Sequence, residues 1–115
     1  MASKEKKTST YRHSDIVASV TAVALFKVDG VASLSSQSGI AITGQQYTSK
    51  NRKSIQVYVV GDKVIIDIFL NVKYGYSLTD LAYNIQESIK REVPKATHFT
   101  VEKVNVNVVG VVFPS

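Results

Sequence analysis

Two runs of alternating apolar residues, separated by Gly61-Asp62, constrain this chain more than any other feature of its sequence. Ile55, Val57 and Val59 alternate with Gln56 and Tyr58, and Val64, Ile66, Ile68, Leu70 and Val72 line one face of the returning run. A period of two places alternate side chains on one face of a strand, and glycine supplies the positive φ of a primed two-residue turn. The pair predicts a β-hairpin with one face in a core. The opposite face of the returning strand, Ile65, Asp67, Phe69, Asn71 and Lys73, is mixed. An isolated hairpin is marginal in water, so the rest of the chain has to cover its apolar face.

Two segments have the helical spacing to do so. Residues 14–26 follow Ser14 and Asp15, either of which can cap a helix by accepting from a first-turn N–H. Ile16, Val20, Val23 and Ala24 form a stripe on that helix, and Val17, Leu25 and Phe26 widen it, so it is expected to be buried on more than one side. Further on, Leu78, Leu81, Ala82, Ile85, Ile89 and Val93 recur at helical spacing behind Ser77 and Asp80, an N-cap with an acidic first turn, and Pro94 is expected to end the helix. Residues 31–34 read as a short strand after the break at Asp29-Gly30, and Ile40-Ala41-Ile42 as a brief strand in an otherwise polar connection over 35–53. Val104, Val106, Val108 and Val112 alternate with polar residues in a last strand. The order α-β-β-β-α-β predicts a single α+β domain, one mixed sheet of about four strands with both helices on one face.

The 115 residues suit one domain with one core, and an apolar fraction of 44% is in the globular range. The net charge of +5 is unevenly spread. Residues 1–13 carry Lys4, Lys6, Lys7 and Arg12 against Glu5, a net of +3, and read as a disordered basic tail preceding a domain over 14–115. The absence of cysteine excludes disulfides, thiolate metal sites and cysteine nucleophiles, and agrees with a reducing compartment. No secretory signal is visible, and the most apolar stretch, 16–26, is too short to cross a bilayer. Contact with a membrane would therefore go through another molecule.

Few residues can carry chemistry. His13 lies in the tail, and His98 after Pro94 reads as a surface residue; neither has metal-ligand spacing. Asp67 falls on the mixed strand face, where Lys73 or Lys103 is a candidate ion-pair partner, so it reads as structural. Gly39 and Gly44 have the glycine spacing of a phosphate loop, but Gln45-Gln46 stand where Lys and Ser or Thr are needed. No catalytic residue, metal site or cofactor site is expected. The basic loop Lys50, Arg52 and Lys53, near Tyr47, is the place for a nucleic-acid contact, although the chain has no G-x-x-G clamp. The apolar surplus points elsewhere. Val17 and Leu25 on the first helix, Phe69 on the mixed face, and Val109, Val111 and Phe113 at the end exceed what one sheet face covers, and contiguous exposed apolar surface marks a protein contact.

Four stretches resemble the alkaline-shock protein family, the envelope-stress proteins of Gram-positive bacteria: residues 29–34 (DGVASL), 72–78 (VKYGYSL), 82–87 (AYNIQE) and 104–111 (VNVNVVGV). Members often have Pro where this chain has Leu78, a departure that touches only a helix start. The resemblance implies a non-enzymatic cytoplasmic protein linked to envelope homeostasis and stress. It further implies self-association and, for some members, attachment to the membrane's inner face through a small membrane-spanning partner. The expected function is thus a protein-interaction or scaffold module, with a nucleic-acid-binding regulator using the tail and basic loop as the alternative.

Overall fold

A computed structural model describes residues 13–35, 41–42 and 54–114. Its elements run α1 (His13–Phe26), β1 (Val31–Ser35), β2 (Ala41–Ile42), β3 (Ile55–Val60), β4 (Lys63–Lys73), α2 (Leu78–Ala96) and β5 (Thr100–Val112). The fold is the expected α+β one, with a two-residue β2 added to the four main strands. The tail and the basic loop lie outside the described residues.

β4 organises the sheet. One of its edges pairs with two strands end to end: β3 antiparallel from Ile55↔Ile68 to Val60↔Lys63, then β1 antiparallel from Leu34↔Leu70 to Val31↔Val72. The other edge pairs with β5 in parallel, from Lys63↔Thr100 to Lys73↔Val112. β2 adds to β1 through Leu34↔Ile42. The sheet is therefore mixed, as expected. The hairpin forms where the sequence places it, with Gly61 at φ +65° in a two-residue turn, and Asp62 accepts at its carbonyl from Thr100 N at 3.0 Å, which pins the start of β5 to that turn.

Alternation on β4 is complete. Val64, Ile66, Ile68, Leu70 and Val72 are each at most 1% exposed. Against them pack Leu81, Ile85, Ile89 and Val93 of α2 and Val17, Ala18, Ala22 and Leu25 of α1, in one cluster. Ser77 caps α2 by accepting from Asp80 N at 3.4 Å. The helix does not stop at Pro94 but continues to Ala96, because Thr97 closes its end by donating from both N and Oγ1 to the Val93 carbonyl, each at 2.9 Å.

α1 departs from expectation in two ways. It begins at His13, so Ser14 and Asp15 stand inside its first turn. Its buried side is also rotated. Val17, Ala18, Thr21, Ala22, Ala24 and Leu25 face inward, while Ile16 and Val23 of the expected stripe are 42% and 56% exposed. A helix apolar all round does not declare its inner face by hydrophobicity. Size decides instead, since the alanines admit the close approach at which Ser88 Oγ donates to the Ala24 carbonyl at 2.9 Å. Thr21 tolerates burial by donating to the Val17 carbonyl at 2.7 Å.

Gly30 carries the turn from α1 into the sheet at φ +103°, and a Cβ there would lie 2.8 Å from Tyr76 Cδ2 and 3.1 Å from Leu81 Cδ1. Gly30→Ala should therefore lower unfolding free energy by about 2 kcal/mol or more, from backbone strain and collision together. Urea titration of the purified chain measures it. The rotated α1 face yields a second expectation: Val23→Lys should shift stability by no more than about 0.5 kcal/mol, whereas Leu25→Ala should cost about 3 kcal/mol. Equal losses would place the wrong side of α1 in the core.

Candidate interaction surface

Among the described residues, β5 has a strand on one edge only. Its middle is sheltered at Val104, which is buried, and Gln86 Nε2 of α2 donates to the Val104 carbonyl at 3.2 Å. Past that point the cover gives out. Val108, Val109, Val111, Val112 and Phe113 are 38% to 65% exposed, and Tyr74 joins them with its ring centroid 4.8 Å from that of Phe113. Tyr74 N donates to the Val112 carbonyl at 2.9 Å, which anchors this end of β5 to the turn after β4. Six large apolar or aromatic side chains thus gather at one corner of the sheet.

A bulge shapes the corner. Val108 pairs with Leu70 and Gly110 with Asn71, so Val109 is an extra residue on β5. The position of Gly110 follows from Asn71, whose Oδ1 would stand 2.9 Å from a Cβ there. Asn71 is 7% exposed, and its Nδ2 donates to Ser33 Oγ at 3.1 Å, joining β4 to β1 on the face away from the helices. The same face carries a polar row. Asp67 accepts from Asn105 Nδ2, its neighbour in register, rather than pairing with Lys73 or Lys103. Asn107 Nδ2 donates to the Ile68 carbonyl at 3.1 Å.

The expected contact residues separate accordingly. Val17 and Leu25 are 1% and 0% exposed within the chain's own core, so they offer no outward surface. Phe69 is half-buried beside Asn107 on the polar face. Val109, Val111 and Phe113 are exposed together. Val108 and Val112 were not singled out by sequence reasoning, because regular alternation assigned them to a buried face. The signal was present in the loss of any polar partner to alternate with after Asn107. Lys50, Arg52 and Lys53 lie outside the described residues.

A second concavity, of about 500 Å³, opens between the end of α1, the Gly75-Tyr76-Ser77 turn and the outer side of α2. Its Arg91 and Lys27 are drawn to one carboxylate beside it, Arg91 Nε lying 3.2 Å and Lys27 Nζ 3.6 Å from Glu92 oxygens, and Lys95 Nζ approaches the same carboxylate at 3.9 Å. The contact with Lys27 fastens the end of α1 to α2. Among the described residues no three His, Asp or Glu side chains are grouped to hold a metal ion, and His98 is exposed with its ring stacked on Phe99 at 4.6 Å. No helix among the described residues is long and apolar enough to cross a membrane.

A family model described by a cell envelope-related function, that of the alkaline shock proteins, matches residues 2–113. The chain belongs to this family. Among similar proteins, the uncharacterized protein YqhY of Bacillus subtilis is 23% identical over 99 residues, covering 86% of this chain and 73% of the relative. The uncharacterized protein YloU of the same organism is 26% identical over 100 residues, covering 85% and 83%. The uncharacterized protein Spy1614 of Streptococcus pyogenes is 26% identical over 96 residues, covering 82% and 79%. No solved structure matches the chain.

The Glu92 cluster has a testable pH signature. The hydrogen bond from Arg91 holds the carboxyl below its ordinary value of 4.5; desolvation opposes this, and Lys27 and Lys95 reinforce it. A depressed folded-state pKa means the contribution is present above the ordinary carboxylate range and lost as the pH falls through it. Glu92→Gln should be slightly less stable than wild type at pH 7 and indistinguishable from it once the carboxylate is protonated. Urea midpoints at the two pH values decide it.

Proposed function

We propose that the chain serves the cell envelope as a non-enzymatic protein-interaction module at the inner face of the cytoplasmic membrane, held there by a small membrane-spanning partner. Membership of a family with a cell envelope-related function supports the setting. The observation that carries the interaction role is the exposed corner of Tyr74, Val108, Val109, Val111, Val112 and Phe113. Hydration of exposed apolar side chains is unfavourable, and a partner removes them from water. In the groove beside α2, Lys27 and Arg91 are engaged by Glu92.

A pull-down of the tagged full chain from gently solubilised native cells tests the reading. Wild type should recover a small membrane-spanning protein. The double variant Val109→Lys/Phe113→Lys should lose it by roughly tenfold or more while keeping its far-UV circular dichroism, because charges in an apolar contact are costly to desolvate. Recovery that the double variant leaves intact would refute the assignment of the surface. Recovery dominated by nuclease-sensitive complexes would favour the nucleic-acid-binding alternative through the tail and the basic loop.

A further inference from the structure

Along the middle of β5 lies a recess that the exposed corner does not use. Its volume is about 500 Å³, and it runs between Gln86 of α2 on one side and Asp67 and Phe69 of β4 on the other. Asn105, Val106 and Asn107 of β5 complete the wall. That volume suits a small molecule rather than a single water. All six residues are half-buried, so the recess is set into the molecule rather than laid over a convex surface.

Three carboxamides are held there in fixed orientation. Gln86 Nε2 donates to the Val104 carbonyl at 3.2 Å, Asn105 Nδ2 to Asp67 Oδ1 at 2.5 Å, and Asn107 Nδ2 to the Ile68 carbonyl at 3.1 Å. Each amide thus spends one N–H on the protein. Among the described residues its second N–H and its oxygen meet no further partner, and neither does Asp67 Oδ2. A hydroxyl is donor and acceptor at once, and an amide edge answers both roles. Several such edges around one recess match a ligand that carries several hydroxyls. Phe69, in register with Asn107, adds an apolar ring against which the C–H face of a saturated ring can lie.

Charge narrows the class further. None of the lining residues is cationic, and Asp67 is their one carboxylate. A phosphate or carboxylate ligand would therefore find no charged donor here, although the chain as a whole carries a net charge of +5. A desolvated ammonium would meet a single carboxylate already engaged by Asn105, too little to offset its lost hydration. A wholly apolar ligand would leave the amide edges buried without partners. A neutral ligand with several hydroxyls on a compact frame satisfies every group present.

We infer that this recess binds a neutral polyhydroxylated ring, a monosaccharide or a cyclitol. Its hydroxyls meet the amide edges of Gln86, Asn105 and Asn107, and its C–H face covers Phe69. The site is separate from the corner at the end of β5, so it stands whether or not that corner holds a partner.

NMR titration of the isotope-labelled full chain tests this, because the side-chain NH2 signals of the three amides report contact directly. The probes are methyl β-glucoside, methyl β-galactoside and myo-inositol. Cyclohexanol, inorganic phosphate and putrescine are the apolar, anionic and cationic comparisons. At least one polyol should shift the three amide signals saturably in the millimolar range, and cyclohexanol should act more than about tenfold more weakly. Asn107→Ala and Phe69→Leu should each weaken binding by about tenfold. Gln86→Ala, a change that helix propensity favours, supplies a third variant that keeps the fold. Phe113→Lys, at the corner, should leave binding unchanged. Silence of the amide signals toward all three polyols would overturn the inference, as would an equal response to cyclohexanol or a response to phosphate or putrescine alone. Binding that survives both Asn107→Ala and Gln86→Ala would overturn it too, since the hydroxyls would then be held elsewhere.

Discussion

Everything in this molecule hangs from the burial of five alternate side chains on β4. Val64, Ile66, Ile68, Leu70 and Val72 are sealed against solvent, and a strand so committed cannot slip by one residue without turning all five outward. That register in turn places three other strands, since β1 and β3 divide one edge of β4 and β5 takes the other. Both helices then pack where the five side chains need covering. The hydrophobic effect supplies the drive, but it is the period of two that converts the drive into a unique arrangement.

The sheet's other face shows how polar residues are accommodated beside such a core. Asn71 would be expensive to bury alone, and its amide reaches Ser33 Oγ. The space its oxygen occupies is the space a side chain at position 110 would fill, which glycine leaves open. Gly110 is in register with Asn71 because the bulge inserts Val109. One polar group in the central strand thereby shifts the alternation of the last strand, and the same shift sets which residues of β5 look outward beyond it.

How much of this was legible beforehand differs by element, for physical reasons. The hairpin was plain because alternation and a turn glycine agree, and α2 because its apolar stripe is narrow and its cap is explicit. α1 was legible as a helix but not in its orientation: hydrophobicity marks a face only by contrast, and Ile16, Val17, Val23 and Leu25 offer none. Val17 and Leu25, expected at a contact, are core for that reason, while Val23 is outside. The end of β5 was legible in part. Val109, Val111 and Phe113 stood out as surplus, but Val108 and Val112 passed for core because burial depends on where α2 stops covering the sheet, which sequence periodicity does not contain. Asp67 found Asn105 rather than a lysine because a cross-strand neighbour in register outcompetes a charge several residues away.

The corner at the end of β5 is thus a consequence of unequal lengths. β5 continues for eight residues past the carbonyl that Gln86 covers, and at a strand's rise of about 3.3 Å per residue that is a reach of more than 20 Å, paired with β4 along one edge. Stability does not account for extending it in valine, because exposed valine gains nothing from burial within the chain. On its inner edge this length flanks β4 as far as Lys73, while its side chains are left without cover. A strand end that is apolar, uncharged and tethered at Tyr74 keeps its shape while offering both side chains and backbone. A floppy segment of the same composition would have to lose conformational entropy on association, whereas this one is ordered before any partner arrives.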